Sequence, residues 1–294
     1  MNKPFKWALH INFFVYAILL NSVGIVILKS INNYGVSEVQ ASTLELFKDM
    51  PIAIVSFLIA SFVPRIGYKK IMVIALSITS LGLVQMWAGN SFVSSQILFA
   101  IVGSSFALIK VAVYGSIGEV TSGEKEHNAL MSSVEGTFMF GIALAYFLFP
   151  AFNSETDPSA WLNVYLLLTG LVLVAVAFLA RIPELPKEEN STPLSEEFSA
   201  MLGLITKLLV VVFVFSAFLY VMVEQGIMTW LPTFNEKVLA LSESNSIRMA
   251  SILAITLGLG RILGGQLSER FHWTLVISGA IIGAMLMVAF VLPQ

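Results

Sequence analysis

The sequence is short of cysteine and of charged residues, and each shortage excludes something. The 294-residue chain has no cysteine, so no disulfide forms and cysteine usage gives no information on the redox compartment. Charged residues make up 12% of the chain, about half of the roughly 25% typical of soluble domains. With 57% hydrophobic residues and a mean hydropathy of +0.87, the composition excludes a soluble globular protein and indicates a polytopic membrane protein.

Basic clusters and metal-ligand patterns are also missing. The net charge is −2 and no basic block is present, which argues against a nucleic-acid partner. The three histidines, His10, His127 and His272, are scattered at the ends of apolar stretches. They predict neither a metal site nor a catalytic triad, so we expect no metal, no cofactor and no enzymatic activity.

Long apolar stretches dominate the chain and define its fold class. A membrane-spanning helix needs about 20 apolar residues. Nine stretches meet this length and predict an all-α integral membrane bundle, at about 10–30, 43–63, 71–90, 94–118, 128–151, 161–181, 204–233, 247–267 and 273–292. A polar segment at 182–203 is the one long connector, which predicts a six-helix half (1–181), a cytoplasmic linker (182–203) and three further helices (204–294).

The distribution of basic residues predicts the orientation. With the N-terminus inside, most Lys and Arg residues of the short connectors fall on the inner side, as the positive-inside rule requires. We therefore expect a multi-pass protein of the inner membrane with a cytoplasmic N-terminus. An odd number of spans places the C-terminus outside.

Ionisable residues within the apolar stretches are the main functional candidates, because charges at membrane depth are expensive and mark a pathway. Glu45, Lys48 and Asp49 share one face of the second span through their i, i+3 and i+4 spacing. The others lie on spans four, five, seven and eight: Lys110, Glu135, Glu224 and Arg261.

The depths of these residues predict two polar layers on either side of a central cavity. The outer layer holds Glu45, Lys48, Asp49 and Glu224, and the inner layer holds Lys110, Glu135 and Arg261. The outer layer has three acids and one base, so at least one carboxylate lacks a cationic partner and can carry a proton. We take Asp49 and Glu224 as proton-coupling candidates, with Glu135 third because Lys110 can neutralise it. Alternatively, Glu45 and Lys48 form an ion pair near the headgroups, Lys110 and Glu135 form an interhelix clamp, and Arg261 snorkels.

Neutral polar residues complete the candidate cavity. Asn21, in the middle of span one, is positioned to bond a sugar hydroxyl or to hydrogen-bond a neighbouring helix. Gln225 and Trp230 on span seven pair an amide with an aromatic face, a combination suited to a sugar ring, although Trp230 also fits an interfacial aromatic belt.

Two connectors six spans apart have similar sequences, which is the spacing of a duplicated six-helix unit. The first contains Arg65, Gly67, Lys69 and Lys70, and the second contains Gly265, Glu269 and Arg270. They resemble the inner-loop motif of the major facilitator superfamily, G-x-x-x-D-[RK]-x-G-[RK]-[RK]. The first copy departs from that motif at Ala60 and Pro64, and the second at His272.

Span seven resembles one branch of that superfamily. The residues Tyr220, Glu224, Gly226, Trp230, Leu231 and Pro232 follow the pattern of the fucose permease-like sugar symporters, and the layout of the surrounding spans is similar to TsgA-type relatives. Members of the superfamily normally have twelve spans, so we expect this chain to be truncated after nine.

The resemblance implies a secondary transporter that works by alternating access within the bilayer. We expect it to move a small polar solute, with a sugar favoured, coupled to protons or to sodium. The first alternative is an exporter of a drug or organic anion that uses Lys110 and Arg261. The second is a truncated, non-transporting remnant or scaffold.

Overall fold

The computed structural model describes residues 3–185, 194–204 and 206–291. Within these ranges the chain is helical, with short connectors and two 3₁₀ turns, Phe149–Phe152 and Ala160–Leu162. The helices are α1 Lys3–Asn21, α2 Val23–Tyr34, α3 Glu38–Ile59, α4 Val63–Ile66, α5 Tyr68–Gly89, α6 Phe92–Val120, α7 Glu124–Leu148, α8 Asn163–Ala180, α9 Leu194–Leu204, α10 Leu208–Lys237, α11 Glu243–Arg270 and α12 Trp273–Val291.

Six helical segments in the described part of the chain are long and apolar enough to cross a membrane. They are Lys3–Tyr34, Tyr68–Gly89, Phe92–Val120, Glu124–Phe152, Ala160–Ala180 and Leu208–Lys237. The apolar part of α12, Thr274–Phe290, is shorter. The helix α3 has 22 residues, but Glu45, Lys48 and Asp49 interrupt its apolar sequence. The protein is therefore an all-helical, multi-pass membrane protein.

The chain divides into two compact units, residues 1–251 and 252–294. In the first unit α6 packs along both α3 and α5, α1 packs along α7, and α5 packs along α8. The α1–α2 segment is the most enclosed, and an aromatic cluster that includes Phe13, Phe106 and Phe138 packs α1 against α6 and α7. The second unit contains the end of α11 and the apolar helix α12.

A break in the first span separates α1 from α2. The Asn21 amide donates to the Ala17 carbonyl (2.9 Å) and the Ser22 hydroxyl donates to the Leu19 carbonyl (2.7 Å). Side chains that bond back to preceding carbonyls compete with the helical hydrogen bonds and bend helices. The break lies next to the position where α10 crosses the first span, because Gly24, two residues after Ser22, contacts Thr229 of α10.

The predicted cytoplasmic linker contains a helix. Residues 194–204 form α9, whereas 186–193 and 205 lie outside the described part of the chain. The division into a six-helix half, a linker and a partial second half stays a prediction, since the two compact units divide the chain at a different place.

Candidate functional site

The helix α10 crosses α2 at a close approach between two backbones. Gly24 of α2 lies against the carbonyl of Thr229, with no room for a Cβ at residue 24. Three residues on, Pro232 lacks the N–H that would bond the Met228 carbonyl, because a helical N–H bonds the carbonyl four residues back. That carbonyl instead accepts from the Tyr146 hydroxyl of α7 at 3.5 Å. Glycine and proline together therefore hold α10 against α2 and α7.

A cavity of about 630 Å³ opens between α3 and α10 beside this crossing. Glu45 and Asp49 line it from α3, and Gln225 and Gly226 line it from α10. The remaining wall consists of apolar α10 residues, Val214, Ala217, Phe218, Val221 and Met222. The volume lies within the range of small-molecule sites, and a few convergent polar groups in an apolar wall are typical of them.

A narrow cleft with no room for a water molecule lies at the break in span one. Gln225 lines both spaces, and Asn21, Tyr146 and Thr229 line the narrow one. The Thr229 hydroxyl donates to the Glu45 carboxylate at 2.5 Å, which connects the two pockets across α3 and α10. Four of the residues predicted from the sequence, Asn21, Glu45, Asp49 and Gln225, are thus brought together.

Lys48 lies apart from the other two members of its predicted stripe. It is buried, with 4% of its surface exposed, and its backbone carbonyl meets Gly103 where α6 packs against α3 without room for a Cβ. Its Nζ approaches an Asp49 carboxylate oxygen at 3.5 Å. The ammonium therefore offsets the charge of Asp49 from the helix-packing side.

A second polar group lies on α6 and α7. The Tyr114 hydroxyl donates to the Glu135 carboxylate, and both side chains are half-buried. Lys110, one turn before Tyr114 on α6, is exposed. The predicted neutralisation of Glu135 by Lys110 stays a prediction.

At the end of the bundle where α2 and α10 end and α11 begins, a polar cluster joins the first span to the later helices. We call it the latch and define it by Lys29, Asn32, Asn153 and Glu243. Lys29, 4% exposed, forms an ion pair with Glu243, and its Nζ lies 5.8 Å from the centre of the Trp161 ring. A buried ammonium needs such a partner, because an unpaired charge in an apolar setting is strongly disfavoured.

Both oxygens of the Glu243 carboxylate have further donors. Asn153 donates to Oε1 at 3.1 Å and Asn32 donates to Oε2 at 2.9 Å. Asn32 also donates to both carboxylate oxygens of Glu236 at 3.1 Å. The latch therefore ties α2 and the loop after α7 to the first residue of α11.

Sequence reasoning missed the latch. Lys29 is one basic residue near the end of span one, and Glu243 falls in the predicted connector between spans seven and eight rather than in a span. A lysine within the last turns of an otherwise apolar span signals that a partner is needed. The identity of that partner, 214 positions away, depends on how α2 and α11 pack.

The first inner-loop motif lies between α4 and α5. Gly67 joins the two helices with a φ of +108°, a backbone conformation that favours glycine. Lys69 donates to the carbonyls of Ala180 (3.1 Å) and Ile182 (2.6 Å), beyond the end of α8. A cation is favourable at the C-terminus of a helix, so Lys69 ties this loop to α8.

The other predicted site residues lie at separate positions. Arg65 is half-buried and Lys70 is exposed beside Lys69, while Glu224 and Trp230 are half-buried on α10. Arg261 is exposed on the part of α11 in the second unit. The side chains of Gly265, Glu269 and Arg270, the second motif copy, lie outside the described part of the structure. Among the described residues, no three His, Asp or Glu side chains form a metal-binding group.

A multi-pass helical bundle with a polar cavity between two of its long helices has the architecture of a membrane carrier. The family comparison agrees: the model of the Major Facilitator Superfamily matches residues 8–294. The chain belongs to the major facilitator superfamily. No curated protein sequence matches it at a significant level.

Solved structures share this fold at low sequence identity. A bacterial homologue of the human lysosomal transporter Spinster, inward-facing and unoccupied, has a TM-score of 0.71 and 19% identity over 92% of this chain and 64% of its own. A D-xylose–proton symporter has a TM-score of 0.61 and 17% identity over 91% and 69%. The inward-open xylose transporter XylE from E. coli has a TM-score of 0.56 and 15% identity over 91% and 69%. The chain thus spans less than two thirds of the length of the Spinster homologue.

Proposed function

We propose that the chain belongs to a secondary active transporter that moves a small polar solute, with a sugar favoured, by alternating access coupled to protons. The observation that carries this proposal is the cavity between α3 and α10, where Glu45, Asp49 and Gln225 converge. An amide and two carboxylates can bond several hydroxyl groups, while the apolar wall of α10 covers the ring face of a solute. The D-xylose–proton symporter of the same fold supports the choice of substrate and coupling ion.

The proton-coupling residues belong to the same proposal. Asp49 lines the cavity with a side chain that is 56% exposed, and Glu224 neighbours the cavity residue Gln225 on α10. Protonation of Asp49 would remove its attraction to the Lys48 ammonium, which lies 3.5 Å from the carboxylate. Glu135, bonded to Tyr114, is the third candidate. Sodium, bound by the same carboxylates, is the alternative coupling ion.

The orientation is proposed from the basic residues of the connectors. With the N-terminus in the cytoplasm of a cell with an inner membrane, the latch lies on the outer side and the Lys69 contact on the inner side. The latch then closes the outer entrance, which corresponds to an inward-facing state such as that named for the Spinster homologue. Assignment to the fucose permease-like branch rests on the span-seven pattern.

The lining of the cavity favours a neutral solute over an organic anion. Its described lining residues include two carboxylates and no Lys or Arg. An exported anion would need Lys110 or Arg261, which lie elsewhere on α6 and α11. The exporter is therefore the second candidate, favoured by the exposed Lys110 ammonium alone.

Uptake into proteoliposomes tests the proposal. A thermal-shift screen of monosaccharides first selects a solute, and its radiolabelled form is then followed with and without an inward proton gradient. We expect the gradient to drive accumulation, and Asp49→Asn combined with Glu224→Gln to abolish it. Glu38→Gln, an exposed acid in the first turn of α3, is the matched control and should transport normally. The proposal would be overturned if uptake were the same with and without the proton gradient and the same in the double variant as in the parent.

A further inference from the structure

The Glu45 carboxylate takes part in two structural features, the cavity and the contact between α3 and α10. Glu45 lines the cavity, and the same side chain accepts the Thr229 hydroxyl at 2.5 Å across the α3–α10 interface. Thr229 is 2% exposed and its carbonyl abuts Gly24, so it lies at the point where α10 crosses the first span. No sequence pattern had marked Thr229.

The spacing along α10 joins this crossing to the cavity. Gln225 precedes Thr229 by four residues, so the two side chains share one face of the helix. A solute that reaches Gln225 therefore lies within one helical turn of the Thr229 hydroxyl. Its own hydroxyl or cationic group can then bond the carboxylate that holds Thr229.

Asp49 provides the contrast. It lines the same cavity one turn along α3, but its described polar contact is with Lys48 of its own helix. A ligand that bonds Asp49 therefore changes a contact within α3, whereas one that bonds Glu45 changes a contact between α3 and α10.

We propose that Glu45 is the positioning residue through which occupancy of the cavity controls the α3–α10 crossing. A donor group of the solute competes with the Thr229 hydroxyl for the Glu45 carboxylate, which weakens the crossing and allows α10 to move from α3. This role rests on the proposed transport function, and it defines the substrate class as one with a hydrogen-bond donor beside its ring or chain. Hydrogen bonds to a charged carboxylate are stronger than neutral ones, so one such exchange is sufficient to shift a two-state equilibrium.

The test measures the separation of α3 and α10 directly, without a need for transport. The cysteine-free sequence allows spin labels at Val39→Cys and Val238→Cys, which are 80% and 63% exposed at the start of α3 and just beyond α10. The full chain is reconstituted in lipid nanodiscs, and distances between the labels are measured by pulsed electron resonance. In the parent we expect one dominant, short distance.

Five variants separate the effect of the hydroxyl from that of its surroundings. Thr229→Val keeps the shape of the side chain but removes the donor, and we expect the ratio of separated to closed crossings to rise about tenfold. Thr229→Ser restores the donor and should match the parent. Glu45→Ala should resemble Thr229→Val, and the double variant should add little, because both changes remove the same contact. Glu119→Gln, an exposed acid on α6 away from the cavity, should leave the distances unchanged.

Two results would overturn the inference. One is a Thr229→Val distance distribution that superimposes on that of the parent. The other is an equal shift in Thr229→Ser or Glu119→Gln, which would assign the effect to packing or to general loss of charge. Circular dichroism and elution volume confirm that each variant is folded before labelling. Failure of uptake together with the expected distance shifts would contradict the transport proposal, while the Glu45–Thr229 hydrogen bond would still be shown to hold the crossing.

Discussion

The latch and the cavity are both built around carboxylates, but they differ in how many donors each carboxylate receives. Glu243 accepts from Lys29, Asn32 and Asn153, which occupy both its oxygens. In the cavity, Glu45 accepts from Thr229, and Asp49 lies 3.5 Å from Lys48 with more than half its side chain exposed. A carboxylate with many fixed donors is suited to hold helices together. One that keeps accepting capacity towards an open cavity is suited to bind a ligand.

The largest expected effect breaks the latch. Glu243→Gln removes the counterion of the buried Lys29, and we expect the free energy of unfolding to fall by about 3 kcal/mol. Unfolding in detergent, followed by tryptophan fluorescence, measures the loss. Adding Lys29→Met should recover most of it, because the double variant leaves no unpaired charge. If Glu243→Gln is as stable as the parent, the carboxylate of the latch does not hold the helices together, and it does not differ in role from those of the cavity.

The next effect tests the close approach of α2 and α10. Gly24→Val forces a side chain against the Thr229 carbonyl, and overpacking of this kind costs about 1–3 kcal/mol. Gly170→Val on α8 is the matched control, because a Cβ there meets open space. The same unfolding assay compares the two variants. Equal stabilities would show that α10 does not press against α2.

A smaller effect is expected from the neutral part of the latch. Asn153→Ala removes one donor to Glu243 and one hydrogen bond to Ser244, and should reduce the free energy of unfolding by about 1 kcal/mol. By contrast, the exposed Asp157 carboxylate accepts from the Ser159 backbone N–H and, within the described part of the chain, makes no contact of this kind with α11. A loss as large as that in Glu243→Gln would mean that the ion pair contributes little.

The smallest effect comes from an exposed ion pair at the same end of the bundle. Lys237 lies 3.3 Å from Glu236, with 44% of its side chain exposed. Exposed pairs contribute about 0–1 kcal/mol, so Lys237→Met should change stability by less than any substitution above. A large loss of unfolding free energy in Lys237→Met would show that any ion pair at this end of the bundle is stabilising. Burial and the number of donors would then not explain the stability of the latch.

The fold and some of the cavity residues could be predicted from the sequence, because both depend on patterns that are local along the chain. Apolar length and the inner-loop motif indicated a major facilitator bundle, and the family match confirms it. Glu45 and Asp49 share a helix face by spacing alone, and Gln225 is an amide on the same apolar span as Trp230, so the local sequence was enough to select them. Their meeting in one cavity required the packing of α3 beside α10.

Contacts between distant helices escaped prediction. Two contacts join residues that lie far apart in sequence, Lys29 with Glu243 and Glu45 with Thr229. Helical periodicity does not specify which faces of two helices meet. Burial of Lys48 against α6 has the same origin, since Gly103 decides how closely α6 approaches. The bend at Asn21 and Ser22 depends on side-chain bonds to the backbone that apolar length does not reveal.

The central claim is that Asp49 and Gln225 face a water-filled cavity rather than lipid. Single cysteines at these two positions, in the naturally cysteine-free sequence, are reacted with a membrane-impermeant maleimide in vesicles opened to both sides. A cysteine at Leu81, 70% exposed on the apolar surface of α5, is the lipid-facing control. The account predicts rapid labelling at 49 and 225 and almost none at 81. Labelling at 49 and 225 as slow as at 81 would contradict it.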